Sequence, residues 1–279
     1  MTLLSQKKGA FYDPFEMLSI DERTQYIHAQ MAEIIRHART HSPFYKKRLH
    51  DITIDPRESS PLRDIPFLIA QDLRDNLPPQ NNNLLTAPGN AFTVFQSGGT
   101  TGVPKTSLFT HDEMELINRC NARGFYGVGL SEHDRVANLW AVGGLYMTFV
   151  HMNRVLQQYG CMSFPFSNQT PVDFIKTVTE LFHINCFSGI TSVVLNALRE
   201  MDHQDRGKIK IEKVFFGGEH IYDADRNELR DRFGVKVIKA PGYGTVDSWY
   251  LGYQCQNTTN GIFHAFDDMV YLEMLDEDT

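Results

Sequence analysis

A glycine-rich segment after Phe95 contains the residue types that bind polyphosphates. It reads Gln96-Ser97-Gly98-Gly99-Thr100-Thr101-Gly102-Val103-Pro104-Lys105. The glycines let the backbone turn with its N–H groups pointing inward, the Ser and Thr hydroxyls add donors, and the lysine adds a positive charge. Each charge-assisted hydrogen bond of this kind contributes about 1.5–3 kcal/mol. Composition alone leaves two interpretations open, a phosphate-binding loop and an ordinary Gly/Thr-rich hairpin turn.

The segment differs from a Walker loop, in which Gly-Lys-Ser/Thr leads into a helix. Here Val103-Pro104 separates Gly102 from Lys105, and an alternating strand pattern follows over residues 105–110. The preceding residues, Phe92–Phe95, also have strand character. The sequence therefore predicts a loop at the tip of a β-hairpin.

A second glycine pair, Gly217-Gly218, is followed by Glu219. It comes after a predicted strand, Val214–Phe216, and before a helix that starts near Asp223. Ligands bind at the carboxyl ends of strands in open α/β sheets, and two glycines allow a flat ring to approach the backbone. The alternative is a plain strand-to-helix turn.

The elements around these segments predict an α/β fold with mixed, largely parallel sheets flanked by helices. Capping boxes at Ser19/Glu22 and Thr110/Glu113 predict helices to about His41 and Phe125. Thr170-Pro171 predicts a helix start, with Thr170 as the cap and with Val172, Ile175, Val178 and Phe182 facing in. Residues 1–90 are predicted to form a helical and loop-rich N-terminal lead-in, and residues 91–279 an α/β domain. The remaining predicted elements are strands at 135–141, 185–188 and 235–239 and helices at 192–201 and 223–233.

Composition narrows the class of protein. The chain has 27 Lys and Arg against 34 Asp and Glu, a net charge of −7, which argues against a protein that coats nucleic acid or a membrane surface. The four scattered cysteines include no CxxC pair, so we expect a reduced, cytoplasmic protein. The N-terminus lacks the apolar stretch of a secretory signal, and the longest apolar run, Leu139–Val150, is shorter than the about 20 residues that cross a bilayer.

The order of several motifs resembles the phenylacetate–CoA ligase-like family of the adenylate-forming (AMP-binding) superfamily. Each match is weak alone, but together they follow the family's order from about residue 20 to residue 279. The strings that carry the resemblance are Ser42-Pro43-Phe44-Tyr45-Lys46-Lys47-Arg48-Leu49, Ile65-Pro66-Phe67, Gln71-Asp72-Leu73-Arg74-Asp75-Asn76, Ser97–Lys105, Phe216-Gly217-Gly218-Glu219, Gly242-Tyr243-Gly244-Thr245-Val246-Asp247 and Gly261–Asp268.

The resemblance implies ATP-dependent activation of a carboxylic acid as an acyl-adenylate, release of pyrophosphate, and transfer to coenzyme A. It assigns Lys105 and Thr101 to catalysis and the loop residues Ser97, Gly98, Gly99, Thr100, Thr101 and Gly102 to the phosphates. It makes Gly217, Gly218 and Glu219 the adenine wall, with Tyr243 stacked on adenine beside Gly244 and Thr245. Positioning and electrostatics dominate such chemistry.

Asp247 occupies the position of the family's usual glutamate, which the resemblance assigns to Mg²⁺ and to catalysis. The sequence departs from the family pattern here twice. Val246 replaces the usual Ser or Thr, and the acid is one methylene shorter. Because Mg²⁺ demands near-ideal octahedral geometry, a shorter carboxylate would bind through water or less tightly. The alternative is a solvated loop aspartate.

The resemblance places the substrate pocket at Trp140, Gly143, Gly144 and Tyr146. Trp140, Tyr146 and Phe187 could sandwich an aryl acid, and core packing is an equal alternative for Trp140 and Phe187. Gly143-Gly144 fits core packing less well, because glycine inside an apolar run usually marks a close backbone approach. We favour an aromatic or short carboxylate as substrate. Cys255 and His264 lack the paired spacing of a zinc site and are interpreted as structural and surface residues.

The last residues, Asp276-Glu277-Asp278-Thr279, stop before the family's ribose-binding aspartate and its C-terminal domain with a catalytic lysine. We therefore expect a fragment or a shortened relative, with weak or absent adenylation by this chain alone. Within the family, acyl transfer to a protein thiol or AMP transfer to a deazaflavin coenzyme is an alternative outcome. A nucleotide-binding or partner-binding module without catalysis is a third possibility. The resemblance also implies a homodimer.

Overall fold

A computed structural model describes residues 11–52, 62, 65–87, 92–98, 104–204, 209–258 and 260–276. The described chain forms two compact units. The α/β unit contains residues 11–13 and 114–266, and the hairpin unit contains residues 14–113 and 267–276. The domain boundary at residue 90 stays a prediction.

The centre of the α/β unit is a five-stranded sheet in which every neighbouring pair is parallel. Its strands are β3 (Arg135–Leu139), β4 (Met162–Phe164), β5 (Cys186–Ile190), β6 (Lys213–Gly217) and β7 (Val237–Lys239). They lie in the order β4-β3-β5-β6-β7. Because the order reverses beside β3, the carboxyl ends of the strands form the edge where doubly wound sheets bind ligands.

Helices cover both faces of this sheet. They are α4 (His111–Gly127), α5 (Thr148–Tyr159), α6 (Val172–Phe182), α7 (Thr191–Gln204) and α8 (Asp223–Asp231). Alternate strand residues point to opposite faces. Val136, Cys186 and Phe215 pack with side chains of α4 and α5. Ala137, Phe187 and the neighbouring strand residues pack with α6, α7 and α8, which gives three layers and two apolar cores.

A small antiparallel sheet follows the last parallel strand. It consists of β8 (Tyr243–Thr245), β9 (Trp249–Tyr253) and β10 (His264–Ala265), with β9 in the centre. The sequence does not predict these strands, because they are short and lack a clean alternation of apolar and polar residues.

The hairpin unit combines short helices with one β-hairpin. Its elements are a 3₁₀ helix (Pro14–Met17), α1 (Ile20–His41), α2 (Pro43–Arg48), α3 (Ala70–Asn76), β1 (Phe92–Gln96) and β2 (Thr106–Thr110), and α4 begins within it. The strands β1 and β2 pair antiparallel, with Gln96 opposite Thr106. The predicted hairpin is therefore confirmed.

Local sequence signals account for the helix boundaries in this unit. The Ser19/Glu22 capping box is present, with the Ser19 N–H donating to the Glu22 carboxylate at 2.8 Å. Ser42 ends α1 and also caps α2, since its Oγ accepts from the N–H of Tyr45 at 3.3 Å. The second capping box forms as well, with the Thr110 N–H donating to the Glu113 carboxylate at 2.7 Å. These three predictions are confirmed.

The inward face predicted for α6 is confirmed at Val172, Ile175 and Val178, which lie in the core or pack against it, but two details are wrong. Thr170 does not cap the helix, because Pro171 is the cap residue and the Thr170 hydroxyl donates to the Phe166 carbonyl instead. Phe182 is 45 % exposed rather than turned into the core, and its ring lies 5.2 Å from that of Phe164.

The helix α5 is absent from the sequence-based prediction. The apolar run Leu139–Val150 contains a strand end, a turn and the first residues of α5. Helical and strand residues in this run are both apolar, so hydrophobicity does not reveal the boundary. Among the described residues, no helix is both long enough and apolar enough to span a membrane.

We predict that Lys213→Met destabilises the α/β unit strongly. The Lys213 ammonium lies 2.7 Å from the buried Asp134 carboxylate and donates to the Gly129 carbonyl at 2.9 Å. Removing one partner of a buried ion pair leaves an uncompensated charge and costs about 3–5 kcal/mol. Urea unfolding measures the free-energy difference.

Lys236→Met is the matched control. It removes an exposed pair with Glu212, which is worth at most about 1 kcal/mol. Equal losses in the two variants would contradict the prediction.

Candidate nucleotide and acid site

A cavity of about 550 Å³ opens in the α/β unit, beyond the carboxyl ends of β3, β6 and β7. Its wall is mostly apolar and aromatic, which is typical of small-molecule sites. The apolar and aromatic lining side chains include Trp140, Met147, Met152, Phe216, Ile221, Trp249, Tyr250 and Phe263. The chemically active lining groups are fewer and include Glu219, Arg226, Tyr243 and Thr245.

Trp140 and Gly217 form one wall of the cavity by close packing. A Cβ at Gly217 would lie 2.7 Å from the Trp140 indole, so a side chain at this position would displace the ring. The indole is 4 % exposed, and its N–H donates to the Ser188 hydroxyl at 3.0 Å. The glycine is therefore needed for the indole to cover the end of β6.

Gly218 and Glu219 continue this wall. Gly218 has φ +76°, a conformation that L side chains rarely adopt. Glu219 is anchored to the first turn of α7, where its carboxylate accepts from the Ser192 N–H at 2.8 Å and from the Ser192 hydroxyl at 3.0 Å. A carboxylate at a helix N-terminus is stabilised by the free N–H groups and the helix dipole. The anchor fixes the β6–α8 turn against α7.

Tyr243, Gly244 and Thr245 form β8 at the cavity rim. The Tyr243 side chain is 59 % exposed, and its ring lies 5.5 Å from that of Phe263. A Cβ at Gly244 would lie 1.9 Å from the carbonyl oxygen of Trp249, so only glycine fits between β8 and β9. An exposed ring held on such a strand offers a flat face to a planar ligand.

Asp247 lies in the turn between β8 and β9, half-buried, and does not line the cavity. In this turn the Thr245 hydroxyl accepts from the Ser248 N–H at 3.1 Å. Within the described part of the chain, no group of three His, Cys, Asp or Glu side chains is arranged to hold a metal ion. A cation bound at Asp247 would therefore need further ligands other than His, Cys, Asp and Glu side chains of the described residues.

Of the four predicted substrate-pocket residues, one lines the cavity and three do not. Trp140 lines the cavity, whereas Gly143, Gly144 and Tyr146 lie in an exposed turn before α5 and do not. Gly143 has φ +80°, and a Cβ at this position would have no atom within 4 Å. Backbone conformation therefore explains this glycine, and no other described part of the chain approaches it closely. Phe187 is fully buried in the core of the sheet.

The ends of the glycine-rich loop are joined in the hairpin unit. The Ser97 N–H donates to the Lys105 carbonyl at 2.9 Å, and the Lys105 N–H donates to the Ser97 hydroxyl at 2.9 Å. Gly98 is exposed. Gly99, Thr100, Thr101 and Gly102 lie outside the described residues.

A buried polar network lies behind the cavity wall. His151 is fully buried between α4 and β9, and burial lowers its pKa from 6.5 to about 3, so the imidazole is neutral. Its Nδ1 lies 2.8 Å from Asn118 Oδ1, and its Nε2 lies 3.1 Å from Asn121 Nδ2. Asn121 Nδ2 also donates to the Tyr250 hydroxyl at 3.1 Å.

Most of the cavity wall carries no recognisable sequence signal. Met147 and Met152 flank the start of α5, and Trp249 and Tyr250 start β9 directly after the Gly242–Asp247 motif. The adjacent aromatic pair Trp249-Tyr250 is the one signal that could have pointed to the wall. His151 carries no signal, because a lone histidine in an apolar helix has no recognisable partner in sequence.

No family model matches the chain. It is 24 % identical to phenylacetate-coenzyme A ligase of Pseudomonas putida over 282 residues, which cover 99 % of this chain and 63 % of the relative. It is also 24 % identical to phenylacetate-coenzyme A ligase of Escherichia coli (strain K12), covering 89 % of this chain and 57 % of the relative. The chain thus spans about 60 % of the length of these curated relatives.

Among solved structures, 2-hydroxyisobutyryl-CoA ligase in complex with 2-HIB-AMP and CoA, in an open conformation, has a TM-score of 0.74 at 18 % identity. That match covers 89 % of this chain and 60 % of the ligase. The chain therefore shares the fold of the matched part of this ligase. The resemblance to phenylacetate–CoA ligases is confirmed by the sequence matches.

We predict that His151 makes stability fall at acidic pH. Because its pKa is lower in the folded state than in the unfolded state, the unfolded chain binds the extra proton below about pH 6.5. The resulting loss is about 1.4 kcal/mol per pH unit, or about 2 kcal/mol between pH 6.5 and 5. Denaturant unfolding at pH 7.5 and 5 measures it, and His151→Gln should reduce the pH dependence by this amount.

His133→Gln is the matched control, since the His133 side chain is 88 % exposed. It should keep the wild-type pH dependence. An unchanged dependence in His151→Gln would contradict the assignment.

Proposed function

We propose that this chain is the nucleotide- and acid-binding part of an enzyme that activates a carboxylic acid as an acyl-adenylate, releases pyrophosphate and transfers the acyl group to coenzyme A. The observation that carries the proposal is the cavity at the carboxyl edge of the sheet, bordered by Gly217–Glu219 and Tyr243. Similarity to phenylacetate-coenzyme A ligases over 89–99 % of the chain supports it.

The cavity wall suits an adenine ring. Gly218 presents backbone without a side chain, and no atom lies within 4 Å of the position a Cβ would take there. Two hydrogen bonds to Ser192 hold the Glu219 side chain next to this wall. The exposed Tyr243 ring would stack on adenine from the other side. We assign Gly217, Gly218, Glu219, Tyr243, Gly244 and Thr245 to nucleotide binding.

The hairpin loop would hold the phosphates. Its stem is closed by two Ser97–Lys105 hydrogen bonds, which keep the two ends of the loop together. In this proposal the backbone N–H groups between them would bind the anion. Lys105 would neutralise phosphate charge, and Thr101 would donate its hydroxyl, as the resemblance implies. Ser97, Gly98, Gly99, Thr100 and Gly102 complete the proposed loop.

Asp247 would hold Mg²⁺ through its carboxylate, and the ion would supply positive charge next to the phosphates. ATP supplies the activated phosphorus and the pyrophosphate leaving group when bound. The chain's own contribution is to orient the acid, neutralise phosphate charge and exclude water from an apolar cavity.

The acid would bind against Trp140 and the apolar side chains beside it, which fit an aromatic or short acyl group. Gly143, Gly144 and Tyr146 stay proposed pocket residues, although they lie outside the cavity wall in this structure. None of the four cysteines, all of which lie in the described part of the chain, forms a disulfide, which supports a cytoplasmic protein. A homodimer remains part of the proposal on the strength of the resemblance.

We predict that Lys105→Ala abolishes stabilisation by MgATP. A ligand that binds the native state raises the melting temperature, by an amount set by its concentration relative to Kd. Loss of the lysine removes a charge-assisted contact worth roughly 1.5–3 kcal/mol. Thermal melts with and without MgATP measure the shift. Lys46→Ala, a change at a lysine on α2, should keep it. No shift in the wild-type chain would refute nucleotide binding.

We predict that Tyr243→Ala weakens ATP binding about tenfold. Stacking of a base on an aromatic side chain contributes roughly 1–3 kcal/mol by alanine substitution. Calorimetric titration with MgATP measures Kd. Tyr222→Ala is the matched control, because Tyr222 is 65 % exposed and does not line the cavity. Equal affinity in Tyr243→Ala and wild type would remove Tyr243 from the site.

A further inference from the structure

Arg226, on α8, is a nearly buried side chain in the wall of the cavity. It is 4 % exposed and lines the cavity together with Phe216 and Ala240. Its guanidinium carbon lies 5.1 Å from the centroid of the Phe216 ring, and its Nη1 donates to the Ile238 carbonyl at 3.4 Å. The guanidinium therefore lies beside β6 and β7, two of the strands whose carboxyl ends border the cavity.

The positive charge of Arg226 has no counter-ion in the described part of the chain. No carboxylate there forms an ion pair with the guanidinium. Burial lowers the pKa of Arg226, and the charge of Arg230 lowers it further, whereas Asp223 acts in the opposite direction from outside ion-pair distance. Arginine nevertheless stays protonated in proteins. Because a buried cation without a partner is costly, an anion on the ligand is the natural counter-ion.

The guanidinium has donors left for such a ligand. It carries several N–H groups in a planar fork, and the long hydrogen bond to Ile238 engages only Nη1. Nε and Nη2 form no hydrogen bond with the described residues, and neither nitrogen is sealed from solvent. Since the residue as a whole is nearly buried, the cavity that it lines is the solvent space that these nitrogens reach. A ligand in the cavity can therefore accept hydrogen bonds from both.

We propose that Arg226 binds the carboxylate of the acid substrate and orients it before adenylation. This inference rests on the proposed function, in which the hairpin loop and Lys105 neutralise the phosphates, whereas the carboxylate has no cation assigned to it. A planar guanidinium matches a planar carboxylate through two parallel hydrogen bonds. When a carboxylate oxygen attacks the α-phosphorus and pyrophosphate leaves, the acyl group loses its negative charge and the ion pair ends. Arg226 therefore distinguishes a free acid from its neutral amide.

The test compares acids with amides of nearly the same shape. Phenylacetate, benzoate and the corresponding amides are titrated calorimetrically at pH 8 into the wild-type chain, Arg226→Gln and Arg226→Lys. We expect the wild type to bind at least one acid about tenfold to hundredfold more tightly than its amide, the range of a charge-assisted hydrogen bond. In Arg226→Gln this ratio should fall towards one. Arg226→Lys, which keeps the charge without the fork, should lower the ratio but keep part of it.

Arg230→Gln is the matched control, because Arg230 is exposed on the same helix and does not line the cavity. It should keep the wild-type ratio. The ratio cancels losses that affect acid and amide equally, so a purely structural role of Arg226 would leave it unchanged. A thermal melt without ligand establishes that each variant is folded, and Arg226→Lys decides if Arg226→Gln is not.

An unchanged ratio in the folded Arg226 variants would overturn the inference. So would a wild-type chain that MgATP stabilises but that prefers no acid over its amide, or binds none of these ligands. The same holds if Arg226→Gln loses the preference for AMP over adenosine and keeps the acid-to-amide ratio, because the bound anion is then the phosphate. Absence of MgATP stabilisation would instead overturn the proposed function.

Discussion

The packing of the Trp140 indole against Gly217 is the contact on which the site depends. It joins the ends of β3 and β6, and it requires that position 217 has no side chain. The hydrogen bond from the indole to Ser188 ties the same ring to β5, which lies between these two strands. Three parallel strands thus share one buried ring at their carboxyl edge. The cavity exists because this ring forms its wall and leaves the turn at Gly218 open to a ligand.

Polar side chains around the cavity are hydrogen-bonded to residues that do not line it. Ser192 on α7 binds the Glu219 carboxylate, and Asn121 on α4 binds the Tyr250 hydroxyl. Each anchor belongs to a helix packed on the sheet, so the orientation of the wall follows from the folding of the core. Such support keeps a binding site close to its bound geometry and lowers the entropy lost on binding.

The sequence predicts the parts of this molecule whose signals are local. The capping serine Ser19, the Ser42-Pro43 boundary and the glycine pair at the end of β6 each depend on neighbours within a few residues, and each is found where expected. By contrast, Phe182 and the start of α5 depend on which apolar surface meets which partner. That choice is made by tertiary packing, so hydrophobic periodicity gives no answer at these positions.

The same distinction separates the nucleotide side of the site from the acid side. A nucleotide is bound largely by backbone, so the residues that bind it must be glycines or short hydroxyl side chains at fixed spacing, and these are visible in sequence. The proposed acid side is lined by ordinary side chains such as Met147, Met152 and Tyr250, which come from the start of α5 and from β9 and have no shared spacing. Superfamily chemistry can therefore be inferred from sequence, whereas substrate choice requires the three-dimensional wall.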